Sequence, residues 1–137
     1  MHNIQSPRPI TDETVEDEIR RKGLTAARVT PADIDAAIAS EHYFTAADGQ
    51  CGAVRCFDGI YPDALNLLTF CVLVLRNGFT VTGESACASP ENFDAEVGRK
   101  IARQNAVNKI WPLLGYELKS MLATKAEADA VRAQYGA

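Results

Sequence analysis

The clearest hydrophobic pattern in the chain predicts a β-hairpin near its middle. Residues 68–76, LTFCVLVLR, are apolar on both faces and rich in β-formers, which is typical of a central strand. Asn77-Gly78 favours a two-residue turn with positive φ at both central positions, and the return segment FTVTGESA alternates between apolar and polar residues. Two shorter strands are predicted ahead of the hairpin, at Tyr43–Thr45 and at Ala53–Phe57.

Two helices are predicted near the N-terminus. The segment TDETVEDEIRRKG has a capping residue at Thr11, acids in its early turns and bases in its last turn, as the helix dipole favours. Thr30-Pro31 then supplies an N-cap and a proline at the first helical position. Apolar residues at spacings of three and four predict that this second helix covers residues 31–41.

A longer helical region is predicted after the hairpin. Ser89 is a candidate N-cap with Pro90 at the first helical position, and Asn92 is the alternative cap for a helix that starts at Phe93. Pro112 is expected to kink this helix or to end it at the preceding tryptophan. A row of small residues permits close approach to a sheet or another helix: Gly98, Ala102 and Ala106.

Together these elements predict an α+β fold. We expect a small antiparallel sheet with a central hairpin at about residues 68–86, packed by N-terminal helices and a long C-terminal helix kinked near Pro112. The predicted organisation is an N-terminal extension with a short helix (1–29), a single core domain (30–123) and a tail that is helical or disordered (124–137).

The composition limits the classes of function. The chain has 137 residues, 47% hydrophobic and 23% charged, and its formal net charge of -4 argues against broad binding of duplex nucleic acid. The sequence shows no signal peptide and no apolar run of membrane-spanning length, so we expect a soluble, cytoplasmic protein. Reduced thiols are favoured over a zinc site because Cys51 and Cys56 lack the spacing of a zinc knuckle, and no cofactor is expected.

The segment between the hairpin and the following helix, GESACASPEN, carries most of the candidate chemistry. A strand that leads into a helix N-terminus presents free backbone N–H groups to a phosphate, and Ser85, Ser89 and Asn92 add side-chain donors. The competing interpretation is that Ser89 and Asn92 only cap the helix. Glu84 either accepts hydrogen bonds from ribose hydroxyls or an adenine amino group, or is an exposed residue on an edge strand.

Four residues further along the predicted helix are also candidates. Arg99 and Arg103 lie at i and i+4, where they can hold a phosphate jointly or pair with nearby acids. Asn105 continues an apolar stripe, so its amide needs a partner from the protein or from a ligand. Trp111 is either a base-stacking group or a core residue. No nucleophile–histidine, metalloprotease or P-loop motif is present, so binding is expected rather than catalysis.

The segment NGFTVTGESACASPENFDAEVGRKIARQNAVNKIWPLLGYEL, residues 77–118, resembles the core of a family of small phage and prophage proteins. The shared features are N-G-F, an E-S-x-C segment, P-x-N-[FY]-[DN] and a closing I-W-x-x-x-G-Y. This family is similar to the phage anti-Thoeris sponges, which bind cyclic ADP-ribose isomers made by TIR-domain defence enzymes without degrading them. Some sponges also bind cyclic oligonucleotides from cGAS-like enzymes. Residues 50–68 and the longer N-terminus depart from the family pattern.

The resemblance implies a non-enzymatic anti-defence protein in an infected or lysogenic bacterial host. It would sequester a cyclic nucleotide signal and assemble into dimers or hexamers with ligands between protomers. The alternatives are a phage structural or protein-interaction protein and, with less support, an enzyme that cleaves such a nucleotide. The candidate ligand-binding residues are Phe79, Glu84, Ser85, Ser89, Asn92, Phe93, Arg99, Arg103, Asn105 and Trp111.

Overall fold

The structure, a computed structural model, describes residues 10–54 and 60–136. Its elements in chain order are α1 (Asp12–Arg21), α2 (Pro31–Ala37), β1 (Ile38–Thr45), α3 (Ala46–Val54), β2 (Leu68–Leu75), β3 (Thr80–Ala86) and α4 (Ala95–Tyr135). Short 3-10 helices precede β2, at Asp63–Leu67, and α4, at Pro90–Asn92. The predicted α+β class is confirmed. None of the described helices is both long enough and apolar enough to cross a lipid bilayer.

The three strands form one antiparallel sheet in the order β1-β2-β3, so the predicted central strand is central. Alternate residues of β2 point towards α4, and Cys71, Leu73 and Leu75 are buried there. Val72 and the other residues of the opposite face are only half-buried. The core therefore lies between the sheet and α4, with Ile34 of α2 also buried in it.

The row of small residues on α4 sets the distance between the helix and the sheet. Ala102 and Ala106 are fully buried, and a side-chain carbon at Gly83 of β3 would overlap the backbone of both. Gly98 lies in the same way against Thr69, whose hydroxyl would be 3.1 Å from an added carbon. The predicted close approach is confirmed, and Gly83 supplies its counterpart on the sheet.

Helix α4 is much longer than the sheet that it covers. Its 41 residues span about 60 Å, whereas a strand of eight residues spans about 27 Å. The helix runs through Pro112 to Tyr135, so the predicted end at Trp111 is wrong, and the tail is helical up to that point. Trp111 and Leu114, on the two sides of the proline, both pack against the core. This packing offsets the hydrogen bond that Pro112 cannot donate.

Sheet pairing shortens the second predicted helix. Residues 31–41 were expected to be helical, but α2 ends at Ala37 and Ile38 is already extended. Ile38 pairs with Leu75 and Ser40 with Val74, across an irregularity in the β1 register. The strand predicted from Tyr43 therefore begins earlier, at Ile38.

The hairpin loop and the segment after β1 also differ from the predictions. The Leu75 N–H donates to the Phe79 carbonyl at 2.8 Å, so the loop has three residues rather than two, with Gly78 at φ 88. The strand predicted at Ala53–Phe57 is wrong at its first two positions, which end helix α3. That helix begins at Ala46, and the Asp48 N–H in its first turn donates to the Thr45 hydroxyl at 3.1 Å. Residues 55–57 lie outside the described part of the chain.

The N-terminal helix α1 is attached to the core by polar contacts. Thr11 caps it as predicted. The buried Glu16 carboxylate accepts two hydrogen bonds from the Arg28 guanidinium, at 2.5 and 2.7 Å, and the Trp111 indole N–H donates to Asp12 at 3.3 Å. The hydrogen bonds from Arg28 hold the pKa of Glu16 below its usual range. The Asp12–Trp111 contact therefore joins α1 to α4, and the Glu16–Arg28 pair joins α1 to the segment that leads into α2.

The close contact at Gly83 predicts a strong and local mutational effect. Gly83→Ala should lower the free energy of unfolding by at least about 2 kcal/mol, because the added methyl group pushes β3 off α4. Gly115→Ala is the matched control. Nothing lies within 4 Å of an added carbon at Gly115, so this change should stabilise the helix by about 0.5–1 kcal/mol. Urea unfolding measures both, and equal effects would contradict the packing described.

The Glu16–Arg28 pair predicts a stability difference that depends on pH. The folded-state pKa of Glu16 is lowered, so its contribution is present above about pH 4.5 and is lost as the pH falls through the folded-state value. Glu16→Gln should therefore be less stable than the wild type at pH 7, and the difference should shrink towards pH 3. Urea midpoints measured over this range test the assignment, which a constant difference would contradict.

Candidate functional site

Two hollows lie side by side at the end of the sheet where β3 leads into α4. The first, named here the junction hollow, has a volume of about 130 Å³ and is lined by Leu67, Thr69, Ser85, Ala86, Cys87, Asn92, Phe93, Asp94, Val97, Gly98 and Ile101. The second, the arginine hollow, has about 90 Å³ and is lined by Tyr43, Phe44, Thr45, Asp48, Thr69, Phe93, Ala95 and Arg99. Because Phe93 and Thr69 line both, these two side chains separate the hollows.

Four of the predicted site residues meet at this end of the sheet. Ser85, Asn92 and Phe93 line the junction hollow, and Arg99 shares the arginine hollow with Phe93. Arg99 has no ion-pair or hydrogen-bond partner among residues 10–54 and 60–136, and its side chain lies on the first turns of α4. Whether any of them contacts a ligand stays a prediction.

The start of α4 differs from both predicted caps. The Asp94 carboxylate accepts the Val97 N–H at 3.0 Å and is the N-cap, whereas Ser89 precedes a 3-10 turn and makes no capping bond with its side chain. The Ser89 carbonyl instead accepts hydrogen bonds from the Cys87 thiol and the Asn92 N–H, each at 3.1 Å. A carboxylate now occupies the helix end where a phosphate was expected, and its charge disfavours an anion there.

The structure separates other predicted residues from the hollows. Glu84 is exposed on the sheet face away from α4, opposite to the side of Ser85. Asn105 donates to the Glu84 backbone carbonyl at 2.8 Å, which satisfies its amide within the protein. Phe79 follows the hairpin loop at the other end of the sheet, and Trp111 bonds to α1. Trp111 lies about 24 Å along α4 from the helix start, so it and Phe93 cannot cover one base within a single protomer.

Arg103 is held by the protein rather than beside Arg99. Its guanidinium donates to Glu41 of β1 at 2.8 Å, and the Tyr43 hydroxyl donates to the other oxygen of Glu41 at 3.0 Å. Burial, together with the bond to Glu41, raises the pKa of the Tyr43 hydroxyl well above its ordinary value. Burial also raises the pKa of the neighbouring Cys71 thiol. These contacts join the edge strand to α4, so a phosphate shared by the two arginines would have to break an existing ion pair.

The described residues offer little geometric support for a catalytic nucleophile or for a metal site. The Ser40 hydroxyl and the His42 Nε2 lie 3.0 Å apart on the open sheet face, but both are on one strand and no acid orients the other ring nitrogen among the described residues. Within residues 10–54 and 60–136 no group of three histidine, cysteine or acidic side chains converges as a metal site would require. Cys71 is a buried core residue.

A larger hollow lies at the opposite end of the sheet. It has about 350 Å³ between α2 and α4, with an apolar floor that includes Leu114, Leu118 and Met121. Two of its charged residues already have hydrogen-bond partners within the protein: Arg28 donates to Glu16, and Asp33 accepts the Thr30 N–H at 2.9 Å. Greater volume alone does not make it the better site for a nucleotide, because the remaining charge, on Glu117, repels phosphate.

The sequence interpretation missed several residues that line the site. The alternative helix start at Phe93 would put Asp94 inside the helix, although an aspartate three residues before the valine of an apolar stripe is a typical N-cap signal. Tyr43, Thr45 and Asp48 line the arginine hollow because β1 lies beside β2 and turns directly into α3. This pairing across the sheet leaves no local signal in the sequence.

The fold is a small α+β domain, and its two neighbouring hollows lie where β3 leads into α4. The chain belongs to the Phage protein (N4 Gp49/phage Sf6 gene 66) family, whose model matches residues 29–122. The match covers the sheet, both hollows and most of α4, and α1 precedes it. No curated protein and no solved structure matches the chain significantly.

The two arginines of α4 should differ in their effect on stability. Arg103→Ala removes the ion pair with Glu41 and should lower the free energy of unfolding by about 0.5–1 kcal/mol, as expected for a partly exposed pair. Arg99→Ala breaks no described contact and should be neutral within about 0.3 kcal/mol. Urea unfolding at low salt compares the two. A larger loss for Arg99→Ala would show that Arg99 has a structural role.

Proposed function

We propose that this phage-family protein binds a cyclic nucleotide immune signal at the junction end of the sheet and sequesters it without cleavage. The observation that most supports the proposal is Arg99, which has no ion-pair or hydrogen-bond partner among the described residues and lines the same hollow as Phe93. The adjoining hollow adds the Ser85 hydroxyl and the Asn92 amide. A cation, an aromatic ring and small polar groups are the features that bind a phosphate, a base and a ribose.

Sequestration rather than turnover is proposed because of the chemistry of these groups. The arginine, phenylalanine and asparagine side chains bind ligands but do not exchange protons near neutral pH. The two carboxylates that line the hollows, Asp48 and Asp94, each accept a backbone N–H at the start of a helix, and the Cys87 thiol donates to the Ser89 carbonyl. An anti-defence protein of this kind would act by holding the signal at a concentration below the one that its host receptor needs. The candidate ligands are cyclic ADP-ribose isomers and cyclic di- and trinucleotides.

Assembly into dimers or hexamers forms part of the proposal. Both hollows are smaller than the 300–1,000 Å³ typical of ligand sites, so a cyclic nucleotide would extend beyond them. Val97 and Ile101, at the rim of the junction hollow, are 51% and 46% exposed. A second protomer placed over this rim would cover these residues and enclose the rest of the ligand.

A structural or protein-interaction role is the second candidate. Its support is the last part of α4, where every residue from 119 to 136 is exposed, including Met121, Val131 and Tyr135. A helix with exposed apolar residues and no packing partner is suited to contact with another chain. In this role nucleotides would leave the stability of the protein unchanged.

Thermal unfolding with a panel of cyclic nucleotides tests the proposed function. A ligand at 100 times its dissociation constant should stabilise the protein by about 2.7 kcal/mol, which is seen as an upward shift in Tm. Arg99→Ala should lose most of the shift. The control, Arg103→Ala, should keep it, because that arginine is already paired with Glu41.

The chemical state of the ligand separates the remaining alternatives. Denaturing the complex and weighing the released nucleotide should recover the intact compound. A cleaved product would contradict sequestration, and no shift with any nucleotide would favour the interaction role.

A further inference from the structure

We propose that the ligand is oriented across Phe93, with its base in the junction hollow and its phosphate in the arginine hollow. The inference rests on the proposed function and deepens it by assigning a chemical preference to each hollow. It places the phosphate beside Arg99, on the side of the first turn of α4 that Ala95 lines, rather than at the Val97 N–H that the Asp94 carboxylate occupies.

The two hollows differ in the charged side chains that line them. The junction hollow contains one charged side chain, the Asp94 carboxylate, and no cation. Asp94 repels a phosphate, and it also occupies the Val97 N–H that would otherwise serve as a donor. Arg99 is the single cation that lines either hollow. Electrostatics therefore favour the anionic part of a ligand on the Arg99 side.

Two polar side chains of the arginine hollow, Asp48 and Tyr43, already have hydrogen-bond partners within the protein. Asp48 also lines it, with its carboxylate held at the start of α3 by the Thr45 N–H at 2.9 Å, so the charges of Asp48 and Arg99 offset each other here, whereas the junction hollow has the Asp94 charge alone. The Tyr43 hydroxyl donates to Glu41. Arg99 is the cation that remains available, and its planar guanidinium can bind two phosphate oxygens at once.

The side chains that line the junction hollow are mostly apolar, with neutral polar groups that include those of Ser85 and Asn92. Leu67, Val97 and Ile101 supply an apolar surface, and the Phe93 ring forms a wall that a base can stack on. Ser85 and Asn92 add a hydroxyl and an amide, which can donate to and accept from the polar edge of a base. The hollow of about 130 Å³ is the larger and more apolar of the two. Its chemistry matches a base rather than a charged group.

Because the hollows share the Phe93 ring and the Thr69 side chain, one nucleotide unit can reach both. We infer that each protomer recognises a single base and a single phosphate of the signal, and that the rest of a cyclic ligand lies outside these hollows. Recognition then requires both parts. A sugar phosphate without a base, or a nucleoside without a phosphate, should bind more weakly than a nucleotide.

Ligand-detected NMR titrations with adenosine, adenosine 5′-monophosphate and ribose 5-phosphate test this orientation, and the guanine compounds repeat it for a second base. For the wild type, the monophosphate should bind at least about tenfold more tightly than the nucleoside. Arg99→Ala should remove this difference while it changes nucleoside binding about twofold or less. Arg103→Ala, the control with its arginine already in an ion pair, should keep the difference.

Asp94→Asn distinguishes the two orientations, and asparagine still caps a helix. If the phosphate lies at Arg99, this change should alter the monophosphate and the nucleoside equally. A selective gain for the monophosphate, with no effect of Arg99→Ala, would place the phosphate in the junction hollow and overturn the inference.

The proposed function can survive that failure. Stabilisation by a cyclic nucleotide, combined with no preference for the monophosphate over the nucleoside, would refute only the orientation. No stabilisation by any cyclic nucleotide would refute the proposed function, and the orientation with it.

Discussion

The contact between the backbone of β3 and the backbone of α4 at Gly83 is the constraint on which the rest of the structure depends. It requires glycine on the strand and alanine at both facing positions of the helix, Ala102 and Ala106. With the helix this close to one side of the sheet, Leu73 and Ile110 are completely buried between them. The same contact fixes the direction in which α4 leaves the junction, and so places Phe93 and Arg99 beside the ends of β1 and β2.

The elements that could be predicted are those with strong local signals. The apolar run of β2, the alternation of β3 and the small-residue row of α4 each have a period that belongs to one structure. The wrong predictions concern segments whose structure is determined by pairing with residues far away in the sequence. Ile38 has the spacing of a helical residue but pairs with Leu75 of β2. The loop that contains Gly78 has three residues rather than the predicted two, because the Leu75 N–H donates to the Phe79 carbonyl. At Pro112 a kink or an end of the helix was predicted, and the helix continues because Trp111 and Leu114, on the two sides of the proline, pack against the core.

The candidate site was predictable in its location but less so in its chemistry. The junction between β3 and α4 does contain a hollow, and Ser85, Asn92 and Phe93 line it. The N-cap of α4 was wrongly assigned to Ser89 or Asn92, because several adjacent polar residues could each cap the helix and only the geometry selects Asp94. The two arginines look equivalent in the sequence. Arg103 faces Glu41 on the edge strand and Arg99 does not, a difference that comes from the sheet register.

The most direct measurement is the change in backbone amide chemical shifts when the protein is saturated with a cyclic ADP-ribose isomer or with another cyclic nucleotide that raises its Tm. The account predicts that the largest changes fall at residues 43–48, 67–69 and 85–101, around the two hollows. Changes centred on residues 114–121, beside the larger hollow between α2 and α4, would contradict it. Uniformly small changes at saturation would also contradict it.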